Sequence, residues 1–406
     1  MENYAKQSNN TYCKMYKRGI VSIIILLGSF TLFAQIDSEM AQLDSITYAQ
    51  YYHAQWKQLL QTADNAIKSK KDFYWLNVRA AIAASAIHKP YRETSYLQNI
   101  TKEYPFDPIS LPLVYLNQLN TGQYAHALQT NHRMQSNTEL QKYYTRRPVV
   151  HSLSAESGYK PSSNDSLYKP LYYGQAGLAF RIKHIPIYTA VSYLKQQSYY
   201  GNMQQYQLYV NATLPFKRNW TVTPALHILH YNIENTITVN DSSVLQNSPI
   251  LVGLNIAKLF HNFQYNFGVY YSNLNYEKQL QIQPSVNWYP LANNKIILNA
   301  AANYIVQKNK VITSATITYN PITLLSFSGS YLAANTRYFI EQNGLLVNNS
   351  YDPTENRYLG MVTFFPRINW SIYVVYLYET KTLNQDPLPV ITYNNQMGVL
   401  GIKRAF

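Results

Sequence analysis

From residue 146 onward the chain alternates apolar and polar side chains over one segment after another. In residues 279–288 one face carries the apolar side chains, which are Leu280, Ile282, Pro284, Val286 and Trp288. The opposite face carries amides and hydroxyls, and segments 206–216 and 263–271 repeat the arrangement. Because side chains alternate faces along a strand, each segment predicts a strand with one apolar and one polar wall. The apolar wall would face a shared core in a soluble sandwich and lipid in a membrane barrel.

The alternating region divides into about fourteen strands, although twelve or sixteen also fit the pattern. The predicted strands begin near residues 148, 170, 187, 203, 220, 249, 263, 279, 295, 311, 322, 356, 369 and 391. Short connections alternate with longer ones, of which 234–248, 337–355 and 381–390 are the longest. Membrane barrels have short turns at one end and long loops at the other. An even strand count places Phe406 at the short-turn end, together with the region that precedes the strands.

Two prolines, Pro224 and Pro284, lie within predicted strands. Proline has no N–H to donate to a strand ladder, so we expect a local bulge or a shifted strand start at each position.

Residues 36–145 show the helical period instead. Apolar side chains recur at three- and four-residue spacing from Trp56 to Ile67 and again from Trp75 to Ala86. The run Gly122-Gln-Tyr124-x-x-Ala127 resembles the tetratricopeptide repeat, in which small residues let paired helices pack closely. The resemblance implies two or three helical hairpins. An ordinary helical bundle without a ligand groove remains an alternative.

The N-terminal residues 1–35 predict a secretory signal peptide. Basic residues precede the short apolar run 19–33, which ends at Ala34-Gln35. The run is shorter than the roughly 20 residues that a membrane-spanning helix needs, although a retained anchor is an alternative. Cys13 precedes the run, so the exported chain would carry no thiol and no disulfide.

Composition agrees with export to a membrane. Charged residues make up 13% of the chain, and 40 residues are tyrosine. The formal net charge is +14, from 34 basic and 20 acidic residues. The basic residues are dispersed among strands and turns, whereas a nucleic-acid site needs them clustered on one face. We therefore expect no nucleic-acid partner.

Catalytic and metal-binding motifs do not stand out in the sequence. The zinc-protease HExxH, phosphate-loop and GxSxG patterns are absent. His227 and His230 have an odd spacing, which sends them to opposite walls of a strand. The neighbours His151 and Ser152 would also face opposite ways. We expect no catalytic site, no metal site and no cofactor, and a lipid-modifying enzyme built from dispersed residues is the third-ranked alternative.

The polar wall would line the barrel interior with amide, hydroxyl and basic groups. The predicted lumen-facing residues are Gln175, Arg181, Lys183, Gln205, Gln207, Asn211, Gln264, Asn266, Gln279, Gln281, Gln283, Thr316 and Thr318. Uncharged hydrogen-bonding walls suit polar solutes such as saccharides, but the same groups could bond to each other and close a narrow barrel. The long connection 337–355 could fold inward as a constriction or cap the outside.

The terminal aromatic residue that closes this pattern, Phe406, resembles the end of bacterial outer-membrane β-barrel proteins. The resemblance implies an α+β multidomain protein: periplasmic tetratricopeptide-like hairpins (36–145), then an antiparallel transmembrane barrel (146–406) in the outer membrane. It also implies two partners, outer-membrane lipid and the barrel-assembly machinery, which would read Phe406 as an assembly signal.

The order of regions is similar to that of polysaccharide exporters, in which repeat helices precede a porin-like barrel. The first functional hypothesis is therefore a channel or export conduit for polar, saccharide-like solutes, with a periplasmic protein partner docked on residues 36–145. The second is a closed anchoring barrel that scaffolds envelope proteins.

Overall fold

The protein consists of a helical region followed by a closed antiparallel β-barrel. The computed structural model describes residues 38–135, 148–161, 168–198, 201–234, 244–274, 277–367, 369–383 and 390–406. The predicted signal peptide, 1–35, lies outside the described residues, as does the predicted boundary at residues 145–146. Helices occupy Ser38–Gln135, and the first strand begins at Val150.

Six helices form the described N-terminal region. They are α1 (Ser38–Tyr52), α2 (Trp56–Lys68), α3 (Tyr74–Ala86), α4 (Pro90–Glu103), α5 (Ser110–Asn120) and α6 (Tyr124–Gln135). Each helix packs on the next in sequence. In this part of the chain no helix is long and apolar enough to cross a membrane.

The helical core forms where small and branched side chains meet at helical spacing. Leu59, Leu60 and Ala63 of α2 are buried against Ala80 and Ala84 of α3. Truncating a buried leucine to alanine in such a core costs about 2–5 kcal/mol. Sequential helix packing fits a hairpin array, but the tetratricopeptide resemblance stays a prediction.

Fourteen barrel strands follow the helices. They are β1 (Val150–Lys160), β2 (Tyr168–Ile182), β3 (Ile185–Ser198), β4 (Gly201–Ala212, continued by Leu214–Phe216), β5 (Trp220–Glu234), β6 (Val244–Asn247, continued by Ile250–Phe260), β7 (Phe263–Ser272), β8 (Gln279–Trp288), β9 (Ile296–Ile305), β10 (Lys310–Ile322), β11 (Leu325–Glu341), β12 (Leu346–Arg367), β13 (Trp370–Leu383) and β14 (Ile391–Ala405).

Every barrel strand pairs antiparallel with its neighbours in sequence, and the ring closes between β1 and β14. In the closing ladder Ser152 lies opposite Ala405 and Tyr159 lies opposite Gly398. The predicted fold class, including about fourteen strands, is therefore confirmed. One predicted start is ten residues late, because β12 begins at Leu346 and not near 356.

The prediction of a local bulge or a shifted strand start at the two prolines is wrong, since β5 and β8 begin at the predicted Trp220 and Gln279. Pro224 lies opposite Leu254 and Pro284 lies opposite Phe267, both within ladders of constant register. On the other side of each proline the ladder is interrupted for a short stretch and then resumes in the same register. The missing N–H therefore costs local pairing on one side without displacing the strand.

The outer wall of the barrel is apolar between two bands of aromatic rings. Exposed outward side chains include Leu208, Val252, Leu254, Ile317 and Val374. Tyrosines pair near the long-connection end, as at Tyr331–Tyr358 with ring centroids 5.0 Å apart. At the short-turn end Phe263 stacks on Trp288 at 6.2 Å. An apolar band between aromatic girdles is the surface that a barrel presents to lipid.

The helical region docks on the short-turn end of the barrel. The buried Tyr91 ring stacks on Tyr289 with centroids 4.0 Å apart, and its hydroxyl donates to Asn294 Oδ1 at 2.7 Å. On α6, His126 Nε2 donates to the Phe216 carbonyl at 3.1 Å. Burial lowers the pKa of His126, so the neutral ring is favoured in this contact. The helices therefore cover part of the barrel mouth formed by the short turns.

Glu93 makes the stability of the helical region depend on pH. Burial raises the pKa of its carboxyl from 4.5 to about 8, against the opposing hydrogen bonds from Asn117 and Ser85. Between these values the folded state keeps a proton that the unfolded chain releases, so the free energy of unfolding falls as pH rises, by up to about 1.4 kcal/mol per pH unit. Below the lower value the stabilisation is complete, and above the higher one it is lost.

We predict that Glu93→Gln removes this dependence, because the amide is neutral at every pH. Urea unfolding of the full chain, followed by helical circular dichroism at about pH 5 and pH 8, measures it. Equal pH slopes in the native protein and the variant would contradict the prediction.

Candidate functional site

A hairpin from β11 and β12 folds into the barrel lumen. We call residues 338–348 the inserted hairpin; its turn is the short 3₁₀ segment Gln342–Gly344. The β11–β12 ladder shifts register on both sides of Thr336, which bends the two strands away from the wall. Phe339 and Ile340 in the hairpin are 0% exposed. Of the two expectations for 337–355, the inward constriction is the one that forms.

The tip of the inserted hairpin is bonded to the opposite wall. Tyr209 Oη on β4 donates to the Asn343 carbonyl at 3.0 Å. His227 Nδ1 on β5 donates to the Gly344 carbonyl at 2.8 Å, and its Nε2 lies 2.9 Å from Gln207 Oε1. The hairpin therefore crosses the lumen from β11–β12 to β4–β5.

Two further wall residues hold the hairpin, Gln281 at Ile340 and Tyr270 at the tip. The Gln281 side chain on β8 accepts from the Ile340 N–H at 2.9 Å and donates to the Ile340 carbonyl at 2.6 Å. Tyr270 Oη on β7 donates to Asn343 Oδ1 at 3.3 Å. An amide side chain that pairs with a backbone N–H and C=O acts like one rung of a strand ladder.

Glycines make room for the Tyr270 ring. A Cβ on Gly253 would lie 2.3 Å from Tyr270 Cδ1, and one on Gly268 would lie 2.6 Å from Tyr270 Cε2. Real atoms do not approach so closely, so any larger residue at either position must displace the ring. The position of the hairpin tip thus depends on two glycines that do not touch it.

The register places twelve of the thirteen predicted lumen residues on the same face as Tyr209 and His227. These twelve are Gln175, Arg181, Gln205, Gln207, Asn211, Gln264, Asn266, Gln279, Gln281, Gln283, Thr316 and Thr318. Lys183 lies in the exposed turn between β2 and β3. A role for any of them in solute passage stays a prediction.

Several of these residues are brought into contact. Gln264 Nε2 donates to Asn266 Oδ1 at 3.1 Å, and Tyr289 Oη donates to Gln264 Oε1 at 3.2 Å. Asn211 Nδ2 donates to Tyr209 Oη at 2.9 Å. Gln264, Asn266, Thr316 and Thr318 are only half-buried, so the inner wall near the short turns is less enclosed than the level of the hairpin.

Charged groups on the inner wall lie beside partners. Glu156 on β1 accepts hydrogen bonds from Tyr173 and Tyr373, each at 2.5 Å. Glu379 lies 3.5 Å from Lys381 Nζ, and both side chains are nearly buried. The tyrosine hydroxyls hold the Glu156 carboxylate in place, and Lys381 neutralises the charge of Glu379.

The alternation of side chains along each strand could have added three residues to the predicted lumen set. Tyr209, Tyr270 and Asn303 lie on the polar face of their strands by simple alternation. The inward fold of the hairpin and the pairing of Gln281 with Ile340 had no comparable signal, because they join segments 59 residues apart.

The remaining predicted residues are also placed. His227 points inward and is buried. His230 faces outward on the same strand, and its Nδ1 lies 2.9 Å from Ser248 Oγ. The Phe406 N–H donates to the His151 carbonyl at 2.9 Å, and its ring lies 5.1 Å from Arg404 Cζ, within the aromatic band at the short-turn end.

Comparison with known proteins gives distant structural likenesses. No protein-family model and no curated protein matches the sequence. The chain is similar to a FadL homologue from Pseudomonas aeruginosa, with a TM-score of 0.41 and 9% identity over 63% of this chain and 90% of that chain. It is also similar to a TodX monoaromatic hydrocarbon channel (TM-score 0.42, 8% identity, 65% and 91%) and to a KdgM porin in complex with oligogalacturonate (0.31, 8%, 63% and 99%). Likenesses at this level do not bear on function.

We predict that Gly253→Ala loosens the inserted hairpin. The added Cβ displaces the Tyr270 ring and breaks its bond to Asn343, so amide hydrogen exchange in residues 338–344 should accelerate about tenfold or more, for a loss of about 1.4 kcal/mol. Gly360→Ala is the matched control, because nothing lies within 4 Å of its Cβ position. Unchanged exchange in Gly253→Ala would show that Tyr270 does not hold the tip.

Proposed function

We propose that the protein is an outer-membrane conduit for polar, saccharide-like solutes and not an enzyme. The observation that carries the proposal is the contrast within the lumen: amides and hydroxyls line the inner wall, and one hairpin obstructs it at a single level. A fourteen-strand barrel lies between the sizes that side chains fill and those that leave an aqueous channel. The inserted hairpin would therefore control passage through a lumen of this size.

The helical region is proposed to lie in the periplasm, because short turns face that side in outer-membrane barrels and the helices cover the short-turn end. Exposed aromatic rings at Tyr52 and Phe106 give a periplasmic protein partner an apolar contact. This partner would deliver cargo to the barrel or act on the mouth.

We predict that removing the inserted hairpin opens the barrel. Replacing residues 338–348 with a two-residue turn removes the obstruction, so single-channel current in a planar bilayer should rise several-fold above that of the native protein. Heat-shifted gel mobility checks that the variant is folded, and Gln342→Ala, an exposed change within the turn, should behave like the native protein. A folded variant that stays silent would reject the conduit.

The alternative is a closed anchoring barrel that scaffolds envelope proteins. It is favoured by the complete burial of Phe339 and Ile340, which pack with Ile312, Leu332, Leu251 and Tyr270 as a core would. A silent bilayer after hairpin removal supports this alternative.

Phe406 is proposed to be read by the barrel-assembly machinery, through strand addition at the β14 edge before the ring closes. We predict that deleting Phe406 lowers the fraction of chain inserted in the membrane several-fold, measured by heat-shifted gel mobility. The control is Val390→Ala, which changes an exposed residue at the other end of β14. Equal insertion of all three proteins would contradict the assembly role.

A further inference from the structure

Behind the inserted hairpin, the inner wall holds a row of polar side chains that the hairpin does not satisfy. The row consists of Ser272 on β7, Gln279 and Gln283 on β8, and Asn303 on β9. Within the part of the chain that the structure describes, Ser272 Oγ, both amide atoms of Gln279, Gln283 Oε1 and Asn303 Oδ1 are buried and have no hydrogen-bond partner. Ser272 is 0% exposed, and Gln279 and Asn303 are each 1% exposed.

These four side chains lie on the lumen face of three adjacent strands, β7, β8 and β9. Gln279 lies directly opposite Ser272 in the β7–β8 ladder, where facing Cβ atoms are about 5 Å apart. Gln283 and Asn303 face each other between the pairs Ile282–Tyr304 and Ser285–Ala301. Gln281 stands between Gln279 and Gln283 on the same face and bonds to the hairpin backbone.

The wall side chains next to this row that pack on the hairpin are apolar. Ser272 lies opposite Leu251, which packs on Ile340, and Asn303 lies opposite Ile312, which packs on Phe339. Buried polar groups in proteins are nearly always hydrogen-bonded, and leaving one unpaired is unfavourable. A wall selected only to hold the hairpin would be apolar at these positions.

The row fits a ligand that can both donate and accept. Gln279, Gln283 and Asn303 supply carbonyl oxygens and NH₂ groups, and Ser272 supplies a hydroxyl. The four side chains carry no charge, so an ionic ligand would lose hydration without an opposite charge to replace it. Hydroxyl groups of a neutral carbohydrate donate and accept equally well.

We propose that Ser272, Gln279, Gln283 and Asn303 form a binding site for an uncharged, hydroxyl-rich chain, and that the inserted hairpin occludes this site when it is in the lumen. The proposal rests on the conduit function and deepens it, since it names a solute class and the segment that controls access. With the hairpin in the lumen, Gln281, Tyr209 and His227 hold its backbone by hydrogen bonds. The four side chains of the proposed site do not take part in these bonds.

The first test uses the full chain. Gln279→Leu replaces an unpaired amide with an apolar group of similar size, so the temperature of barrel unfolding on heat-shift gels should rise. Gln281→Leu is the matched change on the same strand and face; it removes two bonds to Ile340 and should lower that temperature. If Gln279→Leu lowers the unfolding temperature as much as Gln281→Leu does, ordered water bonds to these side chains and stabilises the barrel, and the proposal is wrong.

The second test measures binding directly in detergent. With residues 338–348 replaced by a two-residue turn, maltohexaose should bind in calorimetry, and hexagalacturonate, its charged counterpart, should bind at least tenfold more weakly. Gln279→Leu combined with Asn303→Leu in this background should weaken maltohexaose binding at least tenfold, whereas Gln197→Leu, on the exposed outer face of β3, should not change it.

The outcomes separate this site from the conduit. A folded, conducting variant that does not bind maltohexaose overturns the site and leaves the conduit intact. Binding by a variant that conducts nothing supports the site and rejects the conduit. Equal or tighter binding of hexagalacturonate overturns the assignment to uncharged ligands.

Discussion

Closure of the hydrogen-bonded ring is the constraint on which the rest of the structure depends. In lipid no water is present to satisfy backbone N–H and C=O groups, so an open sheet edge would be strongly unfavourable. The β1–β14 ladder, from Ser152–Ala405 to Tyr159–Gly398, removes the last edge. Once the ring is closed, alternation decides the direction of each strand side chain: one set of alternate residues faces outward and the other faces the lumen.

The lumen is filled near the long connections and more open near the short turns. Toward the long connections, the inserted hairpin crosses from β11–β12 to the opposite wall and buries Phe339 and Ile340. Toward the short turns, amides and hydroxyls stay half-buried, and the Tyr91 ring of the helical region stacks at the mouth. The obstruction inside the lumen is part of the barrel chain, whereas the partial cover at the mouth belongs to a separate layer of helices.

Polar side chains along the wall beside the hairpin differ in how fully they are hydrogen-bonded. Gln281 makes two bonds to one hairpin residue, whereas its neighbours on the same face, Gln279 and Gln283, have side-chain atoms with no partner among the described residues. An energetic compromise of this kind is expected where a wall serves a second occupant besides the segment packed on it. The pattern connects the stability of the closed state with the chemistry of the proposed solute.

The sequence by itself determined the strand faces and the helical period of the N-terminal region, because periods of two and about three to four residues are local properties. It gave about fourteen strands but left twelve and sixteen open, and the closed ring decided between them. The sequence also indicated which amides line the interior, since alternation within each strand separates an apolar from a polar face. Only the tertiary structure decided that residues 337–355 fold inward, that Pro224 and Pro284 keep their register, and that Gly253 and Gly268 accommodate Tyr270. Each of these depends on atoms brought together from distant parts of the chain, where neither alternation nor composition records which side chain will meet which.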